Sequence, residues 1–144
     1  MKTKILVTIL TVFSLVACKS NAQNTDSNVV KSALASYIDA GDTNDVKKLE
    51  PCLHTDFRVA LYDGSKDATS ILDRSTYITF IQTKKFGGYK RTANYEDIEF
   101  IGENMATVKV TLTSPGKPTL KNFYSLVKIN NKWLVIQDYV TLVK

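Results

Sequence analysis

The end of the chain, Lys121 to Lys144, constrains the fold more than any other stretch and reads KNFYSLVKINNKWLVIQDYVTLVK. Two runs rich in β-branched and aromatic residues flank Asn130 and Asn131. Asparagine tolerates the positive φ that a two-residue hairpin turn requires. With this pair as the turn, Ile129 lies opposite Lys132, and the register can be counted outwards along both strands. The stretch therefore predicts a long terminal β-hairpin.

The two faces of this predicted hairpin differ in chemistry, because successive side chains of a strand point to opposite sides. The first face is almost purely apolar and consists of Phe123, Ser125, Val127, Ile129, Leu134, Ile136, Val140 and Leu142. The second face mixes aromatic rings with amide and hydroxyl groups and consists of Asn122, Tyr124, Leu126, Trp133, Val135, Gln137 and Tyr139. Both faces need cover, so we expect the hairpin to lie inside a curved sheet with a partner layer on each side.

The start of the chain predicts export. A short basic segment precedes the apolar run Ile5 to Val16, which is too short to span a membrane as a helix and is typical of a signal peptide. The run ends in Leu-Val-Ala-Cys18, which resembles a bacterial lipobox. That resemblance implies cleavage after residue 17 and lipidation of Cys18. No acidic run follows Cys18, which favours a lipoprotein that faces the periplasm. Cleavage after Ala22, which would release a soluble protein, stays open, and the mass of the mature amino terminus distinguishes the two.

The composition predicts one domain without a metal or cofactor. Residues 18–27 are polar and read as a tether, and residues 28–144 are long enough for a single core. Loss of residues 1–17 leaves 17 basic and 14 acidic residues, a mild net charge of +3 that does not favour nucleic-acid binding.

One histidine and scattered carboxylates lack the spacing of metal ligands. Contact with the membrane is expected through the lipid anchor only.

The first half of the domain predicts mainly helices. An apolar stripe with helical spacing over Val30 to Ile38 predicts a first helix, with Gly41 as the residue that closes it. Asp42 is then expected to cap a second helix, which stops near Pro51.

The second half predicts mainly strands. Alternation predicts a strand over Asp56 to Asp63, and Lys66 to Leu72 reads as a loop. Asp73 or Ser75 is expected to cap a third helix from Tyr77 to about Lys84. Four further strands follow, at 91–101, at 105–113 and in the terminal hairpin. The order α-α-β-α-β-β-β-β places helices before an antiparallel meander, which is an α+β layout.

Several segments in this order resemble a known fold family. They are YIDAGD from Tyr37, LHTDF from Leu53, ATV from Ala106 and FYSLVKINNKWLVI from Phe123. The segments resemble nuclear transport factor 2-like domains, and among these the putative lumazine-binding and SnoaL-like groups, over about Val29 to Leu142. The resemblance implies a cone-like antiparallel sheet that curves around the first helices and leaves a pocket between them. Members of this superfamily include isomerases, cyclases, dehydratases and hydrolases as well as binding modules.

The second hairpin face is predicted to line that pocket. Aromatic walls with a few hydrogen-bonding groups suit a planar organic ligand. The predicted ligand-binding residues are Tyr37, Tyr62, Asn122, Tyr124, Trp133, Gln137 and Tyr139. The alternative interpretation is that the aromatic rings form the core and the amides bind each other.

The sequence favours binding over catalysis. Alignment with the isomerases places Leu34 and Leu61 where those enzymes have their oxyanion tyrosine and base aspartate, and apolar side chains cannot replace either group. His54, with Asp56 to orient it, remains a candidate acid–base pair. We therefore expect a lipid-anchored small-molecule-binding module. An enzyme of the cyclase, dehydratase or hydrolase type and a scaffold with a filled pocket are the alternatives.

The first, apolar hairpin face predicts a partner. Helices cover only the concave side of such a sheet, and an apolar convex face is typical of a protein–protein interface. We expect a homodimer through the sheet, with the same surface of both copies in contact.

Overall fold

A computed structural model describes the backbone of residues 16–143 and the side chains of residues 26–143. The predicted signal peptide of residues 1–17 lies almost wholly outside this range, and so does the side chain of Cys18. Export and lipidation therefore stay predictions. Within the described range, no helix has the length and apolar character that crossing a membrane requires.

The described residues form three α-helices and six strands, which confirms the α+β prediction. The helices are α1 (Val16–Thr43), α2 (Val46–Leu49) and α3 (Arg74–Gln82), and one turn of 3₁₀ helix (Glu50–Cys52) follows α2. The strands are β1 (Leu53–Asp63), β2 (Ala68–Asp73), β3 (Thr92–Ile101), β4 (Met105–Thr113), β5 (Thr119–Ile129) and β6 (Lys132–Val143).

The strands form one curved sheet in the order β2-β1-β6-β5-β4-β3. Neighbouring strands are antiparallel, except that β1 and β6 run parallel. The last strand of the chain, β6, thus pairs with the first, β1. The helices lie on the concave face. On β4, Ala106, Val108, Val110 and Leu112 point to that face and are buried, while the residues between them are more exposed. This alternation is the pattern of a half-covered sheet, as the sequence predicts.

The junction between α1 and α2 differs from the prediction. Helix α1 continues through Gly41 to Thr43, and Asn44, with φ of 52°, is the left-handed residue that ends it. Asp45 caps α2 by accepting a hydrogen bond from the Lys48 amide. The predicted helix end at Gly41 and the predicted cap at Asp42 are wrong, because the Asp42 carboxylate is taken up by a residue distant in sequence.

Two other segments carry more regular structure than the sequence indicates. Residues 18–27, predicted as a tether without periodicity, have a helical backbone that continues α1, and their role as a tether stays a prediction. Most of the segment from Lys66 to Leu72, predicted as loop, belongs to β2, which forms through pairing with β1. Strand β2 lies at the sheet edge and is mostly exposed, so its sequence lacks the alternation that marks a half-buried strand. Asp73, one of the two predicted caps, caps α3 by accepting a hydrogen bond from the Thr76 amide.

The terminal hairpin has the predicted turn but not the predicted register throughout. Asn130 and Asn131 have φ of 49° and 60°, and Ile129 pairs with Lys132. Leu126 pairs with Val135, whereas Ser125 pairs with Gln137, so Ile136 is an extra residue in β6. Such a β-bulge moves every later side chain of the strand to the other face.

Because of the bulge, the side chains of β6 after Ile136 lie on the face opposite to the predicted one. Asp138, Val140 and Leu142 lie on the concave face with Asn122, to which Val140 is paired. Gln137 pairs with Ser125 and Tyr139 with Phe123, so both lie on the convex face. The rings of Phe123 and Tyr139 are 6.3 Å apart, and Tyr139 is 52% exposed.

A buried ion pair joins α1 to the start of β3. The Arg91 Nε donates to Asp42 Oδ1 at 2.5 Å, its backbone N–H donates to Asp42 Oδ2 at 2.9 Å, and its Nη2 donates to the Ile38 carbonyl at 3.3 Å. Burial disfavours the Arg91 charge, but the hydrogen bond and charge of Asp42 outweigh burial and raise the pKa of Arg91. The pair holds the loop between α3 and β3 against the helix end.

The same loop approaches α1 so closely that it requires glycine. The Gly88 amide donates to the Gly41 carbonyl, and Asn44 Nδ2 donates to the carbonyl oxygens of Ile81 and Phe86. A Cβ on Gly87 would lie 2.0 Å from the Gly41 carbonyl oxygen, and Gly87 has φ of 70°. A side chain at this position would displace the loop.

Replacement of Asp42 with Ala should leave the Arg91 guanidinium buried without its partner. We expect a loss of about 3 kcal/mol in the free energy of unfolding, measured in urea, because a buried charge is uncompensated. Asp39→Ala is the matched control on the same helix, since the Asp39 pair with Lys48 is exposed and 3.8 Å long. That control should lose less than about 1 kcal/mol. Equal losses would contradict the role given to the Asp42–Arg91 pair.

Candidate functional site

A cavity of about 200 Å³ lies between α3, the loop that follows it and the concave face of the sheet. Strands β1, β5 and β6 supply its floor. Its lining residues are Val59, Leu61, Tyr77, Ile81, Lys85, Phe86, Gly87, Tyr89, Arg91, Leu120, Asn122, Asp138, Val140 and Leu142. Most of these are aliphatic or aromatic, and the hydrogen-bonding groups are few.

The inner end of the cavity is polar because of Asp138. Its side chain is buried, with 4% exposure, although it carries a carboxyl group. Asn122 Nδ2 donates to Asp138 Oδ1 at 2.8 Å, and the Tyr37 hydroxyl donates to Oδ2 at 3.0 Å. A buried carboxylate is tolerated only when such donors replace water. Strand β5 and helix α1 therefore each contribute one donor to a residue of β6.

A second hydroxyl extends this network. The oxygen atoms of Tyr37 and Tyr77 are 2.9 Å apart. A phenol has one proton to donate, and an ionised carboxylate can only accept. Tyr37 must therefore give its proton to Asp138, and Tyr77 gives its own to Tyr37. We call Asn122, Asp138, Tyr37 and Tyr77 the polar unit.

Burial changes the protonation equilibria of the polar unit. It raises the pKa of Asp138 to about 6, although the hydrogen bonds from Asn122 and Tyr37 and the charge of Arg91 act in the opposite direction. Burial and the negative charge of Asp138 raise the pKa of Tyr77 to about 12 and that of Tyr37 well above its ordinary value. Both phenols are therefore neutral near pH 7, and Asp138 is the member that titrates in the physiological range.

One acceptor of the polar unit has no partner among the described residues. The Oδ1 atom of Asn122 is buried and makes no hydrogen bond. Turning the amide around would place that oxygen against the Asp138 carboxylate, which is repulsive while Asp138 is ionised. An unsatisfied buried acceptor costs roughly 1–3 kcal/mol, and Asn122 is a residue of the cavity lining, so its unpartnered oxygen indicates a place for a ligand donor.

The outer end of the cavity is basic and aromatic. Lys85 lies at the mouth, with its Nζ 3.8 Å from the centre of the Phe80 ring. Tyr89 lines the cavity, and the Lys117 Nζ lies 5.1 Å from the centre of the Tyr89 ring. The inner end of the cavity thus offers acceptors and the mouth offers a cation.

The structure brings only one of the seven predicted ligand residues to the cavity wall. Asn122 lines it, while Tyr37 and Tyr124 are buried behind it, with their rings 5.7 Å apart. Trp133 packs against Phe100 in the core and lines a separate groove beside α1. The groove's residues include Cys52, whose Sγ donates to the Lys48 carbonyl.

Three predicted ligand residues lie on the wrong face of the sheet. Tyr62 is on the convex side of β1, and its hydroxyl donates to Asp67 Oδ1 at 3.1 Å. Gln137 and Tyr139 are placed there by the bulge at Ile136. The predicted positions of these three residues in the pocket are therefore wrong.

The candidate acid–base pair does not reach the cavity either. His54 Nδ1 accepts a hydrogen bond from the Asp56 amide at 3.1 Å, which holds the ring against its own strand. Asp56 is largely exposed. Neither residue lines the cavity. Among the described residues, no group of three potential metal ligands is present.

The residue that organises the site, Asp138, was missed by sequence reasoning. Without a bulge, Asp138 falls between Ile136 and Val140 on the predicted apolar face, where a carboxyl group has no place. That misfit was the available signal, since a one-residue bulge moves Asp138 next to Asn122. Tyr77, the first residue of the predicted third helix, also belongs to the site.

The ionisation of Asp138 should appear in the pH dependence of stability. Folding raises the pKa of Asp138 from 3.8 to about 6. The contribution of the protonated side chain to the free energy of unfolding is therefore complete below pH 3.8, the pKa in the unfolded chain, and is lost as the pH rises through about 6. A shift of about two units corresponds to roughly 3 kcal/mol. We therefore expect the free energy of unfolding of Asp138→Asn, minus that of the natural chain, to rise by about this amount as the pH increases from about 4 to about 7, measured by urea unfolding at both pH values.

The control for this experiment is Asp56→Asn, which removes an exposed carboxyl group from the same sheet. Its difference from the natural chain reports the background effect of losing one negative charge. If Asp138→Asn and Asp56→Asn show the same difference at both pH values, the burial of an ionisable Asp138 is contradicted.

Comparison with known proteins supports the fold. A nuclear transport factor 2-like protein of unknown function from Methylobacillus flagellatus has a TM-score of 0.70 at 15% identity, over 83% of this chain and 94% of that one. A nuclear transport factor 2-like protein from Cytophaga hutchinsonii has a TM-score of 0.68 at 19% identity, over 81% of this chain and 98% of that one. At these identities the likeness concerns the fold alone.

Sequence comparison supplies the family. A search of curated proteins returns no match. The family model described as putative lumazine-binding matches residues 25–139, which include α3, the polar unit and nearly all of the sheet. The chain therefore belongs to the putative lumazine-binding family and has the nuclear transport factor 2-like fold.

Proposed function

We propose that this chain binds a compact planar molecule that presents an N–H or O–H donor to the inner end of the cavity. The observation that carries this proposal is the unpartnered Oδ1 of Asn122, beside the buried carboxylate of Asp138. A ligand donor would satisfy an acceptor that has no hydrogen-bond partner within the part of the chain that the structure describes. The family name supports a ligand of this type, because lumazine is a flat heterocycle with N–H groups.

The size and walls of the cavity support the same class of ligand. Its volume of about 200 Å³ is below the roughly 300–1,000 Å³ of drug-sized sites, so one fused ring system is the largest good fit. Ile81 and Phe86 from the α3 side face Val140 and Leu142 from the sheet. Apolar surfaces on two sides favour a flat ring between them.

An open cavity argues against the scaffold alternative, which requires a pocket filled by the chain's own side chains. The enzyme alternative has a specific observation in its favour, since a carboxyl group with a pKa of about 6 at a cavity wall could exchange a proton with a ligand near neutral pH. Asp138, rather than His54 or Asp56, would be that group. Both of its oxygen atoms already accept hydrogen bonds, and binding is therefore the function we favour.

We also propose that two copies associate through the convex face. Phe123, Ile129 and Tyr139 contribute to an apolar surface there, and Ile129 and Tyr139 are 40% and 52% exposed. Lipid anchoring at Cys18 belongs to the same proposal of an exported binding module. Association and lipid anchoring were both predicted from the sequence, and the exposure of Ile129 and Tyr139 supports association.

Native mass spectrometry of residues 19–144, purified gently, tests binding and association in one spectrum. We expect a dimer that retains a small molecule or takes up added lumazine. Val140→Trp should abolish uptake, because the indole would fill the cavity that Val140 lines. Thr141→Trp is the matched control on the adjacent position, whose exposed side chain points away from the cavity.

Different results separate the two claims. A chain with neither a retained mass nor lumazine uptake, or equal uptake by the Val140→Trp and Thr141→Trp variants, contradicts ligand binding in this cavity. A monomer that still takes up lumazine contradicts the dimer alone.

A further inference from the structure

The polar unit has two internally consistent hydrogen-bond arrangements. With Asp138 ionised, Tyr77 donates to Tyr37 and Tyr37 donates to Asp138 Oδ2, so the Tyr77 oxygen has only lone pairs left for other partners. Asn122 Nδ2 donates to Asp138 Oδ1, and the Asn122 oxygen has no partner among the described residues. Tyr77 and Asn122 both line the cavity, so in this arrangement the unit offers acceptors there.

A proton on Asp138 reverses the arrangement. If the proton is on Oδ2, Asp138 donates to Tyr37, Tyr37 donates to Tyr77, and the Tyr77 O–H is released. If the proton is on Oδ1, it confronts Asn122 Nδ2, and the clash of two donors is removed when the amide turns and its oxygen accepts. Asn122 Nδ2 then takes the place of its oxygen. With the proton on Oδ2, Tyr77 changes from acceptor to donor and the Asn122 oxygen stays an acceptor, whereas with the proton on Oδ1 the Asn122 amide changes from acceptor to donor. In both cases the proton count of the polar unit changes by one.

We propose that the polar unit is a pH-dependent selector, which accepts ligand N–H or O–H groups when Asp138 is ionised and donates to ligand carbonyl or ring-nitrogen groups when Asp138 is protonated. The proposal rests on the proposed binding function and adds the chemical class taken up on each side of the transition. It requires no movement of the backbone, because only hydrogen positions and one amide orientation differ between the two arrangements.

Among the groups that face Asp138, none changes its charge near pH 6, so Asp138 is the member of the polar unit that titrates there. Helix α1 contributes Tyr37, α3 contributes Tyr77, and β5 contributes Tyr124, whose pKa is raised well above its ordinary value by burial and by the Asp138 charge. Arg91, before β3, stays charged beside Asp42. The residue of β1 beside Asp138 is Val59, which has no charge, and Lys85 lies at the exposed mouth.

A pair of probes without titratable groups tests the selectivity. Indole has an N–H donor and no acceptor of comparable strength, and 1-indanone has a carbonyl acceptor and no donor. We expect the Kd of indole for the whole chain to rise about fivefold from about pH 7.5 to about pH 5, since it loses one hydrogen bond, and that of 1-indanone to fall by a similar factor. Asp138→Asn should remove the pH dependence of both.

A measurement without ligand tests the reversal itself. In NMR spectra of the chain, the Asn122 side-chain amide or the Tyr77 ring signals should shift with the same midpoint as the Asp138 carboxyl carbon. Tyr37→Phe should uncouple Tyr77 from this titration, whereas Tyr62→Phe, a hydroxyl deletion on the convex face, should not affect it.

Each outcome decides one claim. If neither Asn122 nor Tyr77 follows Asp138, or if both probes change affinity in the same direction, the selector is overturned. Persistence of the opposite pH dependences in Asp138→Asn overturns it as well. If the coupled titration is present but neither probe binds at either pH, the proposed binding function fails and the reversal stands.

Discussion

One extra residue in β6 sets which side chains of that strand line the cavity. Ile136 has no partner of its own in β5, and the bulge it forms turns Asp138 from the convex to the concave face. Without it, the concave side would carry Gln137 and Tyr139, and the apolar convex face would have to hold a carboxyl group. The bulge therefore creates the polar end of the cavity and places Gln137 and Tyr139 on the outer face.

Placing Asp138 inside has an energetic cost that the rest of the fold reduces. Tyr37 from α1 and Asn122 from β5 supply the two hydrogen bonds, and Tyr77 from α3 supports Tyr37. These donors come from three elements that are distant in sequence. Their bonds do not offset burial completely, since the pKa of Asp138 stays at about 6. A residue held at this balance can change its charge within the range of cellular and extracellular pH.

A second set of contacts fixes the loop that forms the mouth of the cavity. The Asp42–Arg91 ion pair and the close approach of Gly87 to Gly41 hold the loop after α3 at the end of α1. That loop carries Lys85, Phe86 and Tyr89, which form the mouth. The position of the mouth is thus set by one buried charge pair and one glycine, and the inner end is set by the bulge.

The sequence by itself determined the features that depend on neighbours along the chain. These are the Asn130-Asn131 turn, the alternation of β4, a cap of α3 at Asp73 or Ser75, and the α+β layout that the similar solved structures support. Tertiary structure decided the rest. Strand β2 exists through pairing with β1, Asp42 binds Arg91 instead of capping a helix, and the register of β6 shifts at Ile136. The shift placed Asp138 in the site and removed Gln137 and Tyr139 from it, because a strand's register is set by packing and hydrogen bonds across the sheet, which local alternation does not encode.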